Sequence, residues 1–253
     1  MKLLRDIWIV FIQNLLIGWR NPLRSLVGLF QPICFLVLFA PLLNTIAEVP
    51  GFPPGGALAV FTPGLLIMMA LYSSAFVGFT LLADIRLGVI ERLQVAPISR
   101  SALIVGRALR DSTVLFGQAL VLVASAWCIG LKVYIVPVML GIILALLVGL
   151  MVAAFSYGIA LRVKDEYSLA PTINFFLIPL QLLSGITLPL TLAPSWIQWV
   201  AKANPLSYAV TAARLLFNGV IMHTSVALAF GIIFFLALFF LWWAVRSFKS
   251  IMG

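Results

Sequence analysis

The sequence predicts an all-α membrane protein with six transmembrane helices, on three observations. Six stretches contain no Asp, Glu, Lys, Arg or His: 25–47, 57–83, 112–131, 133–161, 167–189 and 224–245. Each has about the 20 residues that cross a bilayer core. The chain of 253 residues is 64% hydrophobic and only 9% charged, where a soluble domain would carry about 25% charge. The apolar stretches do not alternate with polar residues as barrel strands do, so helices are the remaining way to satisfy a backbone in lipid. The longest polar-leaning interval, 84–111, is too short to fold independently. The whole of 1–253 therefore reads as a single transmembrane domain.

The charges set the topology. Lys2, Arg5, Arg20 and Arg24 precede the first span, and Arg86, Arg92, Arg100, Arg107 and Arg110 follow the second. Arg162 and Lys164 follow the fourth span, and Arg246 and Lys249 follow the sixth. These segments share one side and hold 13 of the 16 basic residues; Lys132, Lys202 and Arg214 fall on the other. The positive-inside rule puts both termini in the cytoplasm and the chain in the inner, cytoplasmic membrane. A net charge of +9 thus reads as topology signal and lipid-headgroup contact, with no nucleic-acid partner. Cys34 and Cys128 lie in different apolar stretches with no CxxC spacing, and His223 stands alone. No metal site is expected. The N-terminus lacks the pattern of a cleaved signal peptide.

In chain order, residues 1–22 begin the protein as an amphipathic interfacial helix. Leu4, Ile7, Trp8, Phe11, Leu15 and Trp19 share one face, while Lys2, Arg5, Asp6, Gln13 and Arg20 fall largely opposite. Asn21-Pro22 separates it from the first span. Residues 48–56, rich in Pro and Gly, form a turn. The cytoplasmic loop 84–101 repeats Ile85, Val89 and Leu93 every fourth residue, a helical period, and Pro97 stops it. A short mixed-charge helix there suits either docking into a groove of a soluble partner or lying solvated on the membrane surface. Residues 189–223 contain Pro189, Pro194 and Pro205 yet stay apolar. They read as short re-entrant outer helices between spans five and six, with Asn204 capping one that has Pro205 at its first position.

Two motifs stand out: Asp84-Ile-Arg-Leu-Gly-Val-Ile-Glu-Arg-Leu-Gln-Val-Ala-Pro-Ile-Ser-Arg100, and Leu183-Ser-Gly-Ile-Thr-Leu-Pro189 followed by Asn204-Pro-Leu-Ser-Tyr-Ala-Val-Thr-Ala-Ala-Arg214. Together they resemble the ABC-2 family of membrane permeases, the transmembrane subunits of ATP-binding-cassette exporters. The chain is most similar to its small drug-export permeases of the daunorubicin-resistance type and their nodulation-factor-export relatives. O-antigen and teichoic-acid permeases are similar too. The resemblance implies that Gly88, Val89, Glu91, Arg92, Leu93, Pro97 and Arg100 form a coupling segment against an ATPase subunit. It implies that 1–22 is the family's connecting helix, and that Gly185, Pro189, Asn204, Pro205, Tyr208 and Arg214 belong to the outer re-entrant motif. It further implies a permease dimer, most simply of two identical copies, with two ATPase subunits. ATP and Mg would be bound by those subunits, and no cofactor by this chain. The path would lie between the permeases, lined by the first, second and fifth spans.

The residues themselves bound the mechanism. The apolar stretches offer no carboxylate or His for a driving ion, and no selectivity filter is evident. There is no GxxxxGK[ST] loop. Neither HExxH nor a complete nucleophile elbow around Ser156 is present, so an intramembrane enzyme is the weaker class. Substrate-path candidates are Tyr72, Ser73, Ser74, Phe76, Asn174, Phe175, Gln181 and Ser184. The spacing of Asn174, Gln181 and Ser184 places them on one face of span five, where they serve either cargo or inter-helix hydrogen bonding. An uncharged path suits an amphipathic drug, a lipid or a lipid-linked glycan.

Overall fold

A computed structural model describes residues 2–19, 30, 33–34, 36–38, 56–88, 100–186, 190 and 193–252. The described residues are helical throughout, joined by short turns. Among the described residues, four segments are long and apolar enough to cross a membrane: Leu58–Arg86, Ser101–Ile129, Ile135–Val163 and Thr224–Phe248. These correspond to the second, third, fourth and sixth predicted spans. Most of the first predicted span lies outside the described residues.

Helix α1, Lys2–Trp19, packs across the start of the long helix that begins at Arg100. Gly106 permits the crossing, since a Cβ there would lie 2.8 Å from Val10 and 3.1 Å from the Ile7 carbonyl oxygen. The predicted faces need correction. Asp6 and Val10 turn inward and are buried, whereas Leu4, Trp8 and Leu16 are exposed. A helix lying between protein and lipid buries one face in each, so a polar residue can take the protein side.

The second span is two helices, α2 (Gly56–Ala75) and α3 (Gly78–Arg86), parted by a turn at Phe76–Val77. The uninterrupted apolar run had predicted one. Helix α3 ends where Gly88 adopts φ +66°, a conformation that glycine reaches without steric cost. Val89 and Leu93, expected to continue the helical period of Ile85, lie outside the described residues.

Helix α4, Arg100–Ile129, is 30 residues long. At 1.5 Å per residue it reaches about 45 Å, well beyond a hydrocarbon core of about 30 Å. It therefore starts twelve residues before the predicted apolar stretch and takes Arg107, Arg110 and Asp111 into the helix. It closes at Gly130 (φ +116°) with the Leu131 amide donating to the Ala126 carbonyl, a Schellman ending.

Helix α5, Ile135–Val163, is the buried centre of the bundle. Small residues let neighbours close in on it. A Cβ at Gly149 would lie 2.4 Å from Leu115, and one at Gly158 would lie 2.0 Å from the Trp243 ring. Helix α6, Glu166–Leu182, is capped by Asp165, whose carboxylate accepts from the Ser168 amide at 2.8 Å and hydroxyl at 2.7 Å. Short helices α7 (Ser195–Ala201) and α8 (Pro205–Phe217) follow, and α9 (Thr224–Met252) returns along α5. His223 accepts from the Ser225 amide at the start of α9.

Candidate functional site

The loop singled out by the sequence leaves α3 at Gly88 and enters α4 at Arg100. Val89, Glu91, Arg92, Leu93 and Pro97 lie outside the described residues. The two ends of this loop are tied together and to the next connection. Arg107 of α4 donates to Asp84 of α3 at 2.6 Å, with the Arg107 side chain only 8% exposed. Arg86 faces Glu166 at 3.4 Å and Asp165 at 3.9 Å. These pairs link α3, α4 and the start of α6. Asp165 sits in water, yet the Ser168 hydroxyl and amide bonds, with smaller help from the Tyr167 amide and the Arg86 charge, lower its pKa from the usual value.

One turn deeper along α4, Asp111 accepts from Arg110 at 2.7 Å and from the Tyr157 hydroxyl of α5. Charge just outside an apolar stretch is thus packed inside the protein. Arg107 and Asp111 are four residues apart and turn inward on the same stripe as Leu115 and Gln118. That i, i+4 pattern was the signal available in the sequence.

Ser156 bridges the break in the second span, and the Thr80 hydroxyl donates to the Val77 carbonyl within it at 2.6 Å. Ser156 of α5 donates to the Ala75 carbonyl at 2.6 Å and accepts from the Gly78 amide at 3.0 Å. These are backbone groups that a continuous helix would pair internally, and lipid cannot pair them. Beside the break lies a cavity of about 220 Å³, with Ser73, Ser74, Thr80, Arg110, Asp111 and Gln118 among its lining residues. Irregular backbone at membrane depth is found where it is buried in protein or lines such a cavity.

The path candidates divide. Ser73, Ser74 and Phe76 line this polar cavity. Tyr72 instead donates to Gln181, tying α2 to α6, and Gln181 also reaches the Met68 sulfur at 3.8 Å. Ser184 lies past the end of α6, where it donates to the Gln181 carbonyl and accepts from the Ile186 amide. It therefore does not share a helix face with Asn174 and Gln181. Asn174 is half-buried, and Phe175 is exposed with its ring against Phe176.

At the opposite end of the bundle, Arg214 of α8 is the hub. Its guanidinium donates to the carbonyls of Val60 at 3.2 Å, Gly185 at 2.7 Å and Ile186 at 3.4 Å. Burial pushes its pKa down to about 10, so it remains cationic at neutral pH. Gly185 has φ +75°. Gly64 lets the turn approach α2, since a Cβ there would meet the Ile186 oxygen at 2.7 Å. Asn204 accepts from the Leu206 amide at 2.9 Å and donates to the Leu180 carbonyl at 2.7 Å, so it caps α8 and holds it to α6. Pro205 takes the first position of α8, and Tyr208 donates to the Lys202 carbonyl at 2.9 Å. Pro189 lies outside the described residues. Sequence reasoning missed the roles of Ser156, Asp84, Arg107 and Asp111. Among the described residues no group of His, Cys, Asp or Glu is placed to hold a metal ion.

The ABC-2 type transporter family profile matches residues 5–218. A putative transport permease, ycf38 of Cyanophora paradoxa, is 27% identical over 79% of this chain and 69% of its own length. The daunorubicin resistance ABC transporter permease protein DrrB1 of Streptomyces coeruleorubidus is 26% identical over 78% of this chain and 70% of its own. The inner membrane transport permease YadH of Escherichia coli K12 is 26% identical over 96% of this chain and 93% of its own.

Proposed function

This chain belongs to the ABC-2 type transporter family, and from that premise we propose that it is the permease subunit of an ATP-driven exporter powered by separate ATPase subunits. It crosses the cytoplasmic membrane six times with both termini inside. It works as a dimer of two copies with two ATPase subunits, which bind ATP and Mg. Its cargo is an amphipathic drug, a lipid or a lipid-linked glycan.

The observation that carries this reading is the bracing of the cytoplasmic loop. Asp84–Arg107 clamps its two ends, and Arg86 extends the clamp to the start of α6. A soluble partner that moves residues 88–100 would thereby move three helices as one lever. The Phe76–Val77 break gives the second span a place to bend above that lever. Ser73, Ser74 and Phe76 open onto a polar space beside the break, consistent with a path lined by small polar and aromatic groups. Tyr72 and Gln181 hold α2 and α6 together.

The test is to replace Glu91 and Arg92 together and to measure the ATPase rate of the co-purified partner alongside export. Loss of cargo-stimulated ATPase and of export, with assembly retained, is expected. Unaltered coupling counts against the proposal.

A further inference from the structure

We infer that the cleft between α6 and α9 is a binding site for the acyl chain of an anionic phospholipid, whose headgroup rests at Lys202. The cleft has a volume of about 550 Å³ and is separate from the polar cavity beside the span break. Ile173, Leu177 and Leu180 form one wall, and Ile232, Leu236 and Phe240 the other. Phe155 of α5 closes the floor, its ring edge-on to both Phe176 of α6 and Phe240 of α9. Among its lining residues only Lys202 and Tyr208 bear polar side chains, and both sit at one end.

Shape, length and charge select the occupant. From Ile232 to Phe240 the wall runs about 12 Å along the helix. The hydrocarbon half of one leaflet is about 15 Å, so a chain lying in the cleft matches a single leaflet. The polar end meets a cation. The Lys202 ammonium is exposed and lies 3.9 Å from the Trp199 ring centroid, a pairing of basic and aromatic groups suited to headgroup depth. The described acidic residues, Asp6, Asp84, Asp111, Asp165 and Glu166, all lie toward the other end of the bundle. An anionic headgroup at Lys202 thus meets attraction unopposed by any of them. Ile173 and Leu177 are buried at the back of the cleft, whereas Leu180, Ile232, Leu236 and Phe240 are only half-buried, which leaves the cleft open on its α9 side.

The experiment uses the full chain, equilibrated in nanodiscs of phosphatidylglycerol or of phosphatidylcholine and then released into mild detergent. Native mass spectrometry counts the phospholipid retained. Wild-type protein is expected to keep phosphatidylglycerol in preference to phosphatidylcholine. Ile232→Trp and, independently, Leu236→Trp fill the cleft and should abolish that retention while preserving the thermal midpoint. Lys202→Gln should weaken phosphatidylglycerol retention about five-fold, the equivalent of about 1 kcal/mol for one basic residue near headgroups, and leave phosphatidylcholine unaffected. Equal retention by a folded tryptophan variant overturns the inference. So does indifference of phosphatidylglycerol to Lys202→Gln, or recovery from the cleft of a molecule other than a phospholipid. None of these readouts involves the partner ATPase, so the outcome is independent of the proposed coupling role.

Discussion

Ser156→Ala removes at once the donor to the Ala75 carbonyl and the acceptor of the Gly78 amide. Inter-helix hydrogen bonds in membranes average only about 0.6 kcal/mol, because separated helices find other partners. Here the partners are buried backbone groups freed by a break. The cost should approach that of an unsatisfied buried group, about 1–3 kcal/mol. The thermal midpoint in detergent should drop for Ser156→Ala and stay near wild type for Ser156→Thr, which keeps the hydroxyl. Equal midpoints for all three proteins would show that the break needs no such partner. Asp165 invites a different measurement. Its folded pKa lies below the usual 3.8, chiefly through the Ser168 bonds. Its capping contribution is therefore complete above 3.8 and fades as pH falls through the lowered folded value. Amide exchange at the start of α6, corrected for its intrinsic pH dependence, should quicken over that acid range in wild type. In Asp165→Ala it should already be fast at neutral pH.

Arg214 shows how one side chain can fasten three elements. Its bonds to Val60, Gly185 and Ile186 tie α8 to the start of α2 and to the turn after α6. Arg214→Ala leaves those carbonyls without their donor and empties a buried position, a loss on the order of 3 kcal/mol. Lysine lacks the planar fork and should rescue only part of it. Hydrogen exchange should rise in α8 and in residues 183–186 while α4 keeps its protection; uniform loosening of the bundle would contradict the latch. The sequence announced some of these elements better than others. Asn204-Pro205 made a helix start legible because cap chemistry is local. The interruption at Phe76–Val77 was illegible, because no Pro or Gly marks those two positions and the compensating group, Ser156, is remote in sequence. Ser156 itself drew notice only as part of an incomplete catalytic motif. Asp6 was placed with the polar residues because periodicity finds faces but does not say which of two faces meets protein.

At the scale of the molecule, charge-free stretches located the second, third, fourth and sixth spans because a bilayer penalises charge by depth. They could not reveal that neighbouring helices bury Arg107 and largely cover Asp111 toward one end of a helix about 45 Å long, since neighbours and not lipid do the burying. The assembled bundle also makes the transport proposal testable as a motion. The packing couples α3, α4 and α6 at the loop end, while Tyr72–Gln181 joins α2 to α6 deeper in the bundle. If a cycle parts α2 from α6, a permanent tie at that point must stop it. Tyr72→Cys and Gln181→Cys, combined in a chain whose Cys34 and Cys128 are replaced by Ala, can be joined by a short reducible thiol cross-linker. Export in vesicles containing the partner ATPase should fall to background on cross-linking and return on reduction, whereas each single-cysteine chain should respond to neither treatment. Full export by the cross-linked protein would mean that α2 and α6 travel as one body and that the path opens along another seam.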